Sequence, residues 1–292
     1  FYIYPNNASD FFRTGFTTQN TAIISANSGK TGMRFSVTDM RNRDILPETN
    51  MSRDNFNLRV NTSLGKIDFD FTAHYTRENV KNRPALGDSQ SNVGKNLMTL
   101  ANTYNQAWLK NYQTADGEYA NWNGLDQYNR NPYWDLYKNS NKSDKDVFRF
   151  TAKAIYNIDS HLKIQGTIGT DINNMNFQDY IARTTPGKSA GQLQESVFQN
   201  RTLNAEILAL YNNQFGDFDV NATLGGNIYK VDNKTNILTG LGQQMKDVIA
   251  IMNYQEQSVQ QSTYKKQINS IYGSASIGYD HTYYLEGTLR GD

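Results

Sequence analysis

Few residues of this sequence are suited to metal or thiol chemistry. The chain has 292 residues, of which three are His and none is Cys. His161 and His281 lie in predicted turns, His74 lies on the polar face of a predicted strand, and none of them has the spacing of a metal-ligand motif. The sequence therefore predicts no metal site, and we expect no cofactor.

Nucleophilic and phosphate-binding motifs are not indicated either. The sequence lacks a G-x-S-x-G elbow, and neither GLGQQ nor LGGN follows the strand–loop–helix order of a nucleotide site. Gly225 and Gly226 more simply indicate a bulge or a tight bend in a strand. The acidic groups of TADGEY and NKSDKD could bind calcium in an external loop, although their spacing is not that of an EF-hand. We therefore predict that the protein is not an enzyme.

Aromatic residues in one long polar segment are the best candidates for a binding surface. Aromatic faces stack on sugar rings and hold apolar peptide side chains, while neighbouring Asn and Asp side chains fix the orientation. The alternative is that they form the segment's own small core, and NPYW looks structural because Pro132 fixes a bend. The candidate substrate-binding residues are Trp108, Tyr112, Trp122, Tyr128, Tyr133 and Trp134.

Composition limits the partners that could use such a surface. The formal net charge is +1, which gives no electrostatic case for a nucleic acid. Hydrophobic residues make up 37% of the chain, a low share, yet aromatic residues reach 12%, and disordered chains are poor in aromatics. The chain is therefore expected to fold with its apolar residues confined to particular faces.

Apolar residues alternate with polar ones along most of the chain, which is typical of strands with one apolar face. This pattern predicts about ten strands in five hairpins. Their approximate bounds are 18–28 with 31–39, 55–64 with 66–76, 146–158 with 162–173, 201–215 with 218–231, and the two halves of 270–291.

The connections between these strands alternate in length without exception. Five are tight, at SGKT, GK, DSH, GD and DHT, and the four between them are long, at about 40–54, 77–145, 174–200 and 232–262. Outer-membrane barrels have this asymmetry, with short periplasmic turns and long extracellular loops, whereas no such rule sorts the turns of a soluble sandwich. The sequence therefore predicts an all-β fold, a transmembrane antiparallel β-barrel.

The two faces of the predicted strands fit lipid on one side and water on the other. Phe148 and Phe150 alternate with Arg149, and an Arg in mid-membrane would cost about 2–4 kcal/mol if it faced lipid. The polar face should therefore line a water-filled lumen. Leu208 and Leu210 depart from this pattern because they fall on the polar face, where another packed element could contact them.

Aromatic residues cluster near the tight turns, where an interfacial girdle would lie. Aromatics favour strands in general, but that preference does not explain their clustering at strand ends. The predicted girdle consists of Tyr156, Tyr211, Phe215, Phe218, Tyr279, Tyr283 and Tyr284. In the longest connection, NLMTLANTYNQAWLKNY has apolar residues three and four apart and predicts one short amphipathic helix.

Four stretches carry a resemblance to the SusC/RagA family of TonB-dependent outer-membrane transporters. The stretch from NNASDFFRTG to NTSL resembles the family's entry into the barrel, although Asp44 replaces the glycine of its G-IP loop. WLKNYQTADGEYANWN and NRNPYWDLYKN are similar to a large early loop, and INSIYGSASIGYDHTYYLEGTLRGD resembles a mid-barrel hairpin. The resemblance rests on the order and spacing of these stretches together.

The resemblance implies that the chain is about ten strands of a larger barrel, which has 22 strands in the family. Residues 1–292 would then be part of a barrel domain, with 1–17 leading in from a plug domain and 77–145 forming a large extracellular loop with a short helix. It further implies energised import of oligosaccharides or peptides through the outer membrane. The expected partners are a SusD-like surface lipoprotein, TonB, membrane lipid and a glycan or peptide substrate, with no nucleic acid.

Three alternatives to transport stay open from the sequence, one of which, an outer-membrane esterase-like barrel, has no catalytic constellation to support it. A surface adhesin would use the long loops to hold a partner while nothing crosses the barrel. A soluble β-sandwich enzyme would require the protein to be soluble without detergent.

Overall fold

A computed structural model describes residues 2–292 and is dominated by long strands. The strands are β1 (Phe16–Ser28), β2 (Thr31–Arg43), β3 (Asn50–Leu64), β4 (Ile67–Lys81), β5 (Ser140–Asn157), β6 (Leu162–Ile181), β7 (Gln192–Phe215), β8 (Phe218–Gln243), β9 (Tyr254–Tyr279) and β10 (Tyr283–Gly291). The helices are α1 (Val93–Met98) and α2 (Pro132–Tyr137), with single 3-10 turns at Ser9–Phe11, Gln106–Lys110 and Ile251–Asn253.

All ten strands form one antiparallel sheet in which each strand pairs with the next along the chain. The sheet is an open wall and not a closed barrel, because β1 and β10 lie at its opposite edges. The all-β antiparallel fold predicted from the alternation is confirmed. No helix within residues 2–292 has the length and apolar character needed to cross a membrane.

The predicted alternation of short and long connections is confirmed, but all four long ones are shorter than predicted. They occupy residues 44–49, 82–139, 182–191 and 244–253, because the strands continue past the predicted ends. At about 3.3 Å per residue, the 26 residues of β8 span about 86 Å, far more than a hydrocarbon core of about 30 Å. An apolar band that lies in a membrane leaves water on both faces of the outer halves of the strands, which accounts for the loss of alternation there.

Two local predictions for the longest connection are wrong. The predicted single amphipathic helix is instead α1 followed by a separate 3-10 turn at Gln106–Lys110. Thr99 caps α1, and the chain changes direction before the 3-10 turn begins. The apolar residues spaced three and four apart therefore belong to two separate elements and not to one helix. The acidic NKSDKD segment lies within β5 and not in a loop.

Strand register places the apolar residues on one continuous face of the wall. Phe71 lies opposite Val60 on one side and Ala152 on the other, and Ala152 lies opposite Ile168. We call this apolar band the belt and its side of the wall the outer face. The polar side chains between these positions share the inner face.

The belt crosses the hydrogen-bonded rows of the wall diagonally. The row through Ile67, at the short-turn end of β4, runs across β5, β6 and β7 to Leu224 on β8. Leu224 is six residues beyond Phe218, where β8 begins. These six residues correspond to a displacement of about 20 Å along the strands, which builds up over the four strand spacings of about 4.8 Å between β4 and β8. The strands are therefore tilted by about 45° relative to the normal of the belt. Barrel walls have strands tilted in this way.

The predicted girdle lies at the short-turn border of the belt, with one exception. Tyr279 lies opposite both Phe218 and Tyr283, and the rings of Phe218 and Tyr279 are 4.9 Å apart. Tyr284 is the exception, because it lies opposite Gly278 on the inner face and its hydroxyl donates to the His281 carbonyl. Its inclusion in the girdle is therefore wrong.

Packing on the inner face explains one of the two unexpected leucines, Leu208, and one glycine. Leu208 lies opposite Gly225, and a Cβ at Gly225 would lie 2.6 Å from both the Leu208 side chain and the Tyr272 ring. Register is unbroken through Gly225 and Gly226, so the predicted bulge is absent there. Gly225 is small because Leu208 and Tyr272 pack over it.

Candidate functional site

The buried core of the protein lies at the long-loop end of the wall, in a layer that we call the cap. The cap consists of residues 2–15, 44–49, 82–139, 182–191 and 244–253 together with the strand ends that they contact. One apolar cluster contains Phe11, Leu46, Val93, Leu97, Leu100, Leu109, Tyr133 and Leu136. A second contains Tyr119, Trp134, Tyr180, Ala182, Leu193 and Tyr254.

The NPYW segment organises the cap because it starts α2. The Asn131 side-chain oxygen accepts a hydrogen bond from the Tyr133 amide at 2.9 Å, and Pro132 occupies the first turn, where its missing N–H costs nothing. The Asn131 side-chain amide donates to the Leu109 carbonyl at 2.8 Å, which ties α2 to the preceding turn. Burial raises the pKa of Tyr133 to about 12, and its hydroxyl donates to Gln106 at 2.8 Å.

A buried ion pair holds α2 from the other side. The guanidinium of Arg130 lies 3.1 Å from the carboxylate of Asp135, with both side chains 2% exposed. Asp135 also accepts a hydrogen bond from Asn139 at 2.8 Å. Burial nevertheless raises the pKa of Asp135 to about 6, because desolvation outweighs the stabilisation by Arg130 and Asn139. The pair fixes α2 at a cost in desolvation.

Hydrogen bonds join α2 to the loop at 182–191. The Trp134 indole donates to the Thr185 hydroxyl at 2.8 Å, and the Asn139 side-chain oxygen accepts from the Ala182 amide at 2.9 Å. The Tyr119 amide donates to the Thr184 hydroxyl at 2.8 Å. Two long connections that are distant in sequence thus form one hydrogen-bonded layer.

Residues 2–15 pack into the same layer. The Tyr4 amide donates to the Asn102 carbonyl at 2.9 Å, and the Gln106 amide donates to the Asn7 side chain at 2.9 Å. Farther along, the Arg13 guanidinium donates to the Asp44 carbonyl at 2.9 Å. This segment therefore lies at the long-loop end, and its origin in a plug domain stays a prediction.

The six aromatic residues singled out in the sequence divide into two groups in the cap. Tyr133 and Trp134 are buried, at 7% and 1% exposure, and have little ring surface for a ligand in this conformation. Trp108 and Tyr128 are 53% and 58% exposed, while Tyr112 and Trp122 are half-buried against both apolar clusters. Substrate contact by any of the six stays a prediction.

A row of neighbouring aromatic rings runs along the cap and includes residues that the sequence analysis did not single out as binding residues. We call Tyr2, Tyr4, Trp108, Tyr104 and Trp122 the aromatic ladder, whose successive ring centroids are 4.7, 6.0, 5.2 and 5.4 Å apart. The aromatic run FYIYP at the start of the sequence is the signal that would add Tyr2 and Tyr4 to the candidate binding residues. Tyr128 is not part of the ladder.

The cap is suited to non-covalent binding. It presents exposed aromatic edges beside many Asn and Gln side chains, which suit neutral polymers with both apolar and hydrogen-bonding surfaces. Within residues 2–292, no group of three or more His, Cys, Asp or Glu side chains is placed to hold a metal ion.

Comparison with known proteins places the wall among outer-membrane barrels by shape and not by sequence. No protein-family model and no curated protein matches the chain. A structure of the RagAB peptide transporter superposes with a TM-score of 0.76 at 14% identity, and one of the RagAB peptide importer in its "open-open" state with 0.75 at 14% identity. Each comparison covers 97% of this chain and 32% of the other.

A more distant likeness extends to a siderophore receptor. The crystal structure of PiuA from Acinetobacter baumannii superposes with a TM-score of 0.53 at 10% identity, over 94% of this chain and 41% of that one. The chain spans about a third of the length of the RagAB chains that it matches. The chain therefore has the fold of part of a TonB-dependent outer-membrane barrel, as the resemblance implied.

Proposed function

We propose that this chain is part of the barrel of an outer-membrane importer of oligosaccharides or peptides. The main support is the two-faced wall, in which an apolar belt faces outward while charged and amide side chains face inward. Lys153, Arg149 and His74 all lie on the inner face, where a water-filled passage would keep them hydrated. A soluble sandwich would instead bury the apolar belt against a second sheet, but all ten strands form a single sheet and belt residues such as Leu224 are 63% exposed.

The open edges of the wall support its completion by further strands. An edge strand in lipid would leave backbone N–H and C=O groups unpaired, which a membrane does not tolerate. Ten strands closed on themselves would give a narrow interior filled by side chains. A larger barrel with a plug moved by TonB would allow a polymer to pass.

The exposed aromatic edges of the cap are the proposed first contact for substrate. Trp108 and Tyr128 would stack on sugar rings or on apolar peptide side chains, while Tyr133 and Trp134 would hold the layer in shape. A SusD-like lipoprotein is the proposed outer partner, because it could cover a substrate that rests on the cap.

Uptake by cells that carry the full-length protein tests this function. Accumulation of fluorescent oligosaccharides and peptides inside the cell should require the gene and the TonB system. Trp108→Ala should reduce uptake several-fold, and Trp108→Phe should restore most of it. Leu86→Ala, an exposed apolar change in the same connection, is the matched control and should leave uptake unchanged.

The alternative function is that of a surface adhesin, and the same assay separates the two. An adhesin would retain the labelled ligand at the cell surface with or without TonB, and no label would reach the interior. That result would contradict import while leaving the fold unaffected.

A further inference from the structure

Four basic side chains lie on the outer face just beyond the belt. On β8 the continuous run of apolar outward residues ends at Ile228, and the next outward positions include Lys230 and Lys234. A single apolar residue, Leu238, recurs on this face four residues beyond Lys234. Asp232 between them lies opposite Arg201 on β7 and Lys265 on β9. We call Arg201, Lys230, Lys234 and Lys265 the basic patch, and all four are exposed.

The basic patch has the dimensions of a lipid headgroup. It spans three strands about 4.8 Å apart and three successive outward positions about 6.6 Å apart, which gives about 10 by 13 Å. Gln199, opposite Lys234, adds a side-chain amide at the same height. One phosphorylated sugar headgroup could contact all of these groups together.

Most of the positive charge of the patch is uncompensated. Lys265 forms an ion pair with Asp232 at 3.8 Å. Arg201, Lys230 and Lys234 form no ion pair with any residue that the structure describes. Four cations therefore share one carboxylate on a surface that borders the apolar belt.

The corresponding border on β2–β5 has the opposite character. The first outward residues beyond the belt there include Asp39, Asp54 and Asp146. Arg41 forms ion pairs with Asp39 and Asp54, the latter at 2.8 Å, and Asp146 accepts a hydrogen bond from the Tyr75 hydroxyl at 2.5 Å. The basic patch is therefore a local feature and not a general property of the border.

We propose that the basic patch binds the phosphate groups of a phosphorylated glycolipid in the outer leaflet. The inference rests on the proposed outer-membrane placement, which puts the long-loop border of the belt at the outer headgroup level. Lys stems can lie along the apolar belt while their ammonium groups reach the headgroups, and the Arg fork pairs with phosphate through two hydrogen bonds. Basic clusters at a membrane border attract anionic headgroups.

Retention of a defined glycolipid by the full-length protein in neutral detergent tests the proposal. The probes are diphosphorylated lipid A and the same lipid after enzymatic removal of its phosphates. Wild type should bind the phosphorylated lipid at least tenfold more tightly. The triple change Arg201→Gln, Lys230→Gln, Lys234→Gln should remove that preference. The control change Arg41→Gln, Arg77→Gln should alter binding less than twofold, since Arg77 lies opposite Asp54 and Asp146 at the other border.

Three outcomes would overturn the proposal: equal binding of the two lipids by wild type, an unaltered preference in the triple variant, or displacement of the lipid by millimolar inorganic phosphate. The last would indicate a site for free anions. Heat-modifiable gel mobility reports folding of each variant, and the single change Lys230→Gln provides a milder test. If the protein failed to fractionate with outer membranes, the proposed function itself would fail, which is a separate result.

Discussion

The wall and the cap are built from one chain but are held together in different ways. In the wall, large apolar side chains such as Leu224 and Ile207 are 63% and 60% exposed, and continuous strand pairing supplies the cohesion. In the cap, Trp134 and Arg130 are buried at 1% and 2% exposure, and a small packed core supplies it. Under the proposed function, lipid covers the apolar face of the wall, whereas the cap buries its own apolar side chains.

Because of this difference, substitutions in the wall and in the cap should destabilise the protein through different physical effects. With the belt in a membrane, as proposed, a change on the outer face of the wall would act through the transfer of a side chain between lipid and water. A change in the cap acts through cavities and unpaired polar groups, as in a soluble domain. Variants should therefore separate into those that block membrane assembly and those that loosen only the loop layer.

Trp134→Ala should produce the largest effect and should confine it to the cap. The substitution removes a buried indole that donates a hydrogen bond to Thr185 and packs against Tyr119, with the two ring centroids 5.3 Å apart. We therefore expect the cap to be destabilised by about 3–5 kcal/mol. Trypsin cleavage after Lys95 and Lys110 should accelerate by at least 100-fold, since it follows the open population.

The control for that experiment is Trp108→Ala, which removes a ring that is 53% exposed and should change cleavage only slightly. Heat-modifiable mobility should remain normal in both variants because strand pairing in the wall is untouched. Equal cleavage rates in the two variants would mean that the buried ring does not hold the cap.

Leu224→Arg should have the next largest effect and should act on assembly. Leu224 lies in mid-belt on the outer face, where an Arg costs about 2–4 kcal/mol. Thr223→Arg is the matched control, because Thr223 is the neighbouring residue on the inner face, opposite Ser274. The Leu224 variant should lose heat-modifiable mobility in membranes and the Thr223 variant should keep it. Loss in both would contradict the assignment of faces.

The sequence predicted the wall better than the cap, and the reason is physical. Strand faces follow from a period of two that is local, so the outward positions of Phe148 and Phe150 could be read directly. The cap depends on contacts between residues far apart in sequence, such as Trp134 with Thr185 and Asn7 with Gln106. No local pattern encodes them.

Two errors show where local patterns fail. Tyr284 is close to a tight turn, as a girdle residue should be, but the three-residue turn at 280–282 sets a register that turns it inward. The sequence pattern assigns the outer halves of β7, β8 and β9 partly to loops, because alternation disappears where neither face of a strand needs apolar residues.

The stability of the cap, unlike that of the wall, should depend on pH through the buried carboxyl group of Asp135. Its pKa in the folded cap is raised to about 6, above about 3.9 in an unfolded loop, so the folded form holds the proton more tightly. Cap stability should therefore fall as the pH rises from about 4 to about 6, by at most about 3 kcal/mol. Limited proteolysis by a protease that is active across this pH range would measure the change in cap stability.

Asp135→Asn provides the control for the pH experiment because it cannot titrate. The variant leaves Arg130 without its carboxylate and should be less stable than wild type at pH 4, but the gap should narrow as the pH rises to 6. A gap that widens over this range would show that the ion pair with Arg130 outweighs desolvation.

Substitutions in the ring pair of Phe218 and Tyr279 should have the smallest effect on stability among the changes compared between wall and cap. The rings are 4.9 Å apart on the outer face at the girdle, with each residue nearly half exposed, so lipid can replace much of what one ring loses. A double-mutant cycle with Phe218→Leu and Tyr279→Leu, measured by urea unfolding of the assembled protein, should give a coupling of about 0.5–1.5 kcal/mol. Tyr156 and Tyr279 lie on strands separated by β6, β7 and β8 and should couple by less than about 0.5 kcal/mol. A coupling at the girdle as large as the Trp134→Ala effect would mean that the wall, like the cap, depends on packed side chains.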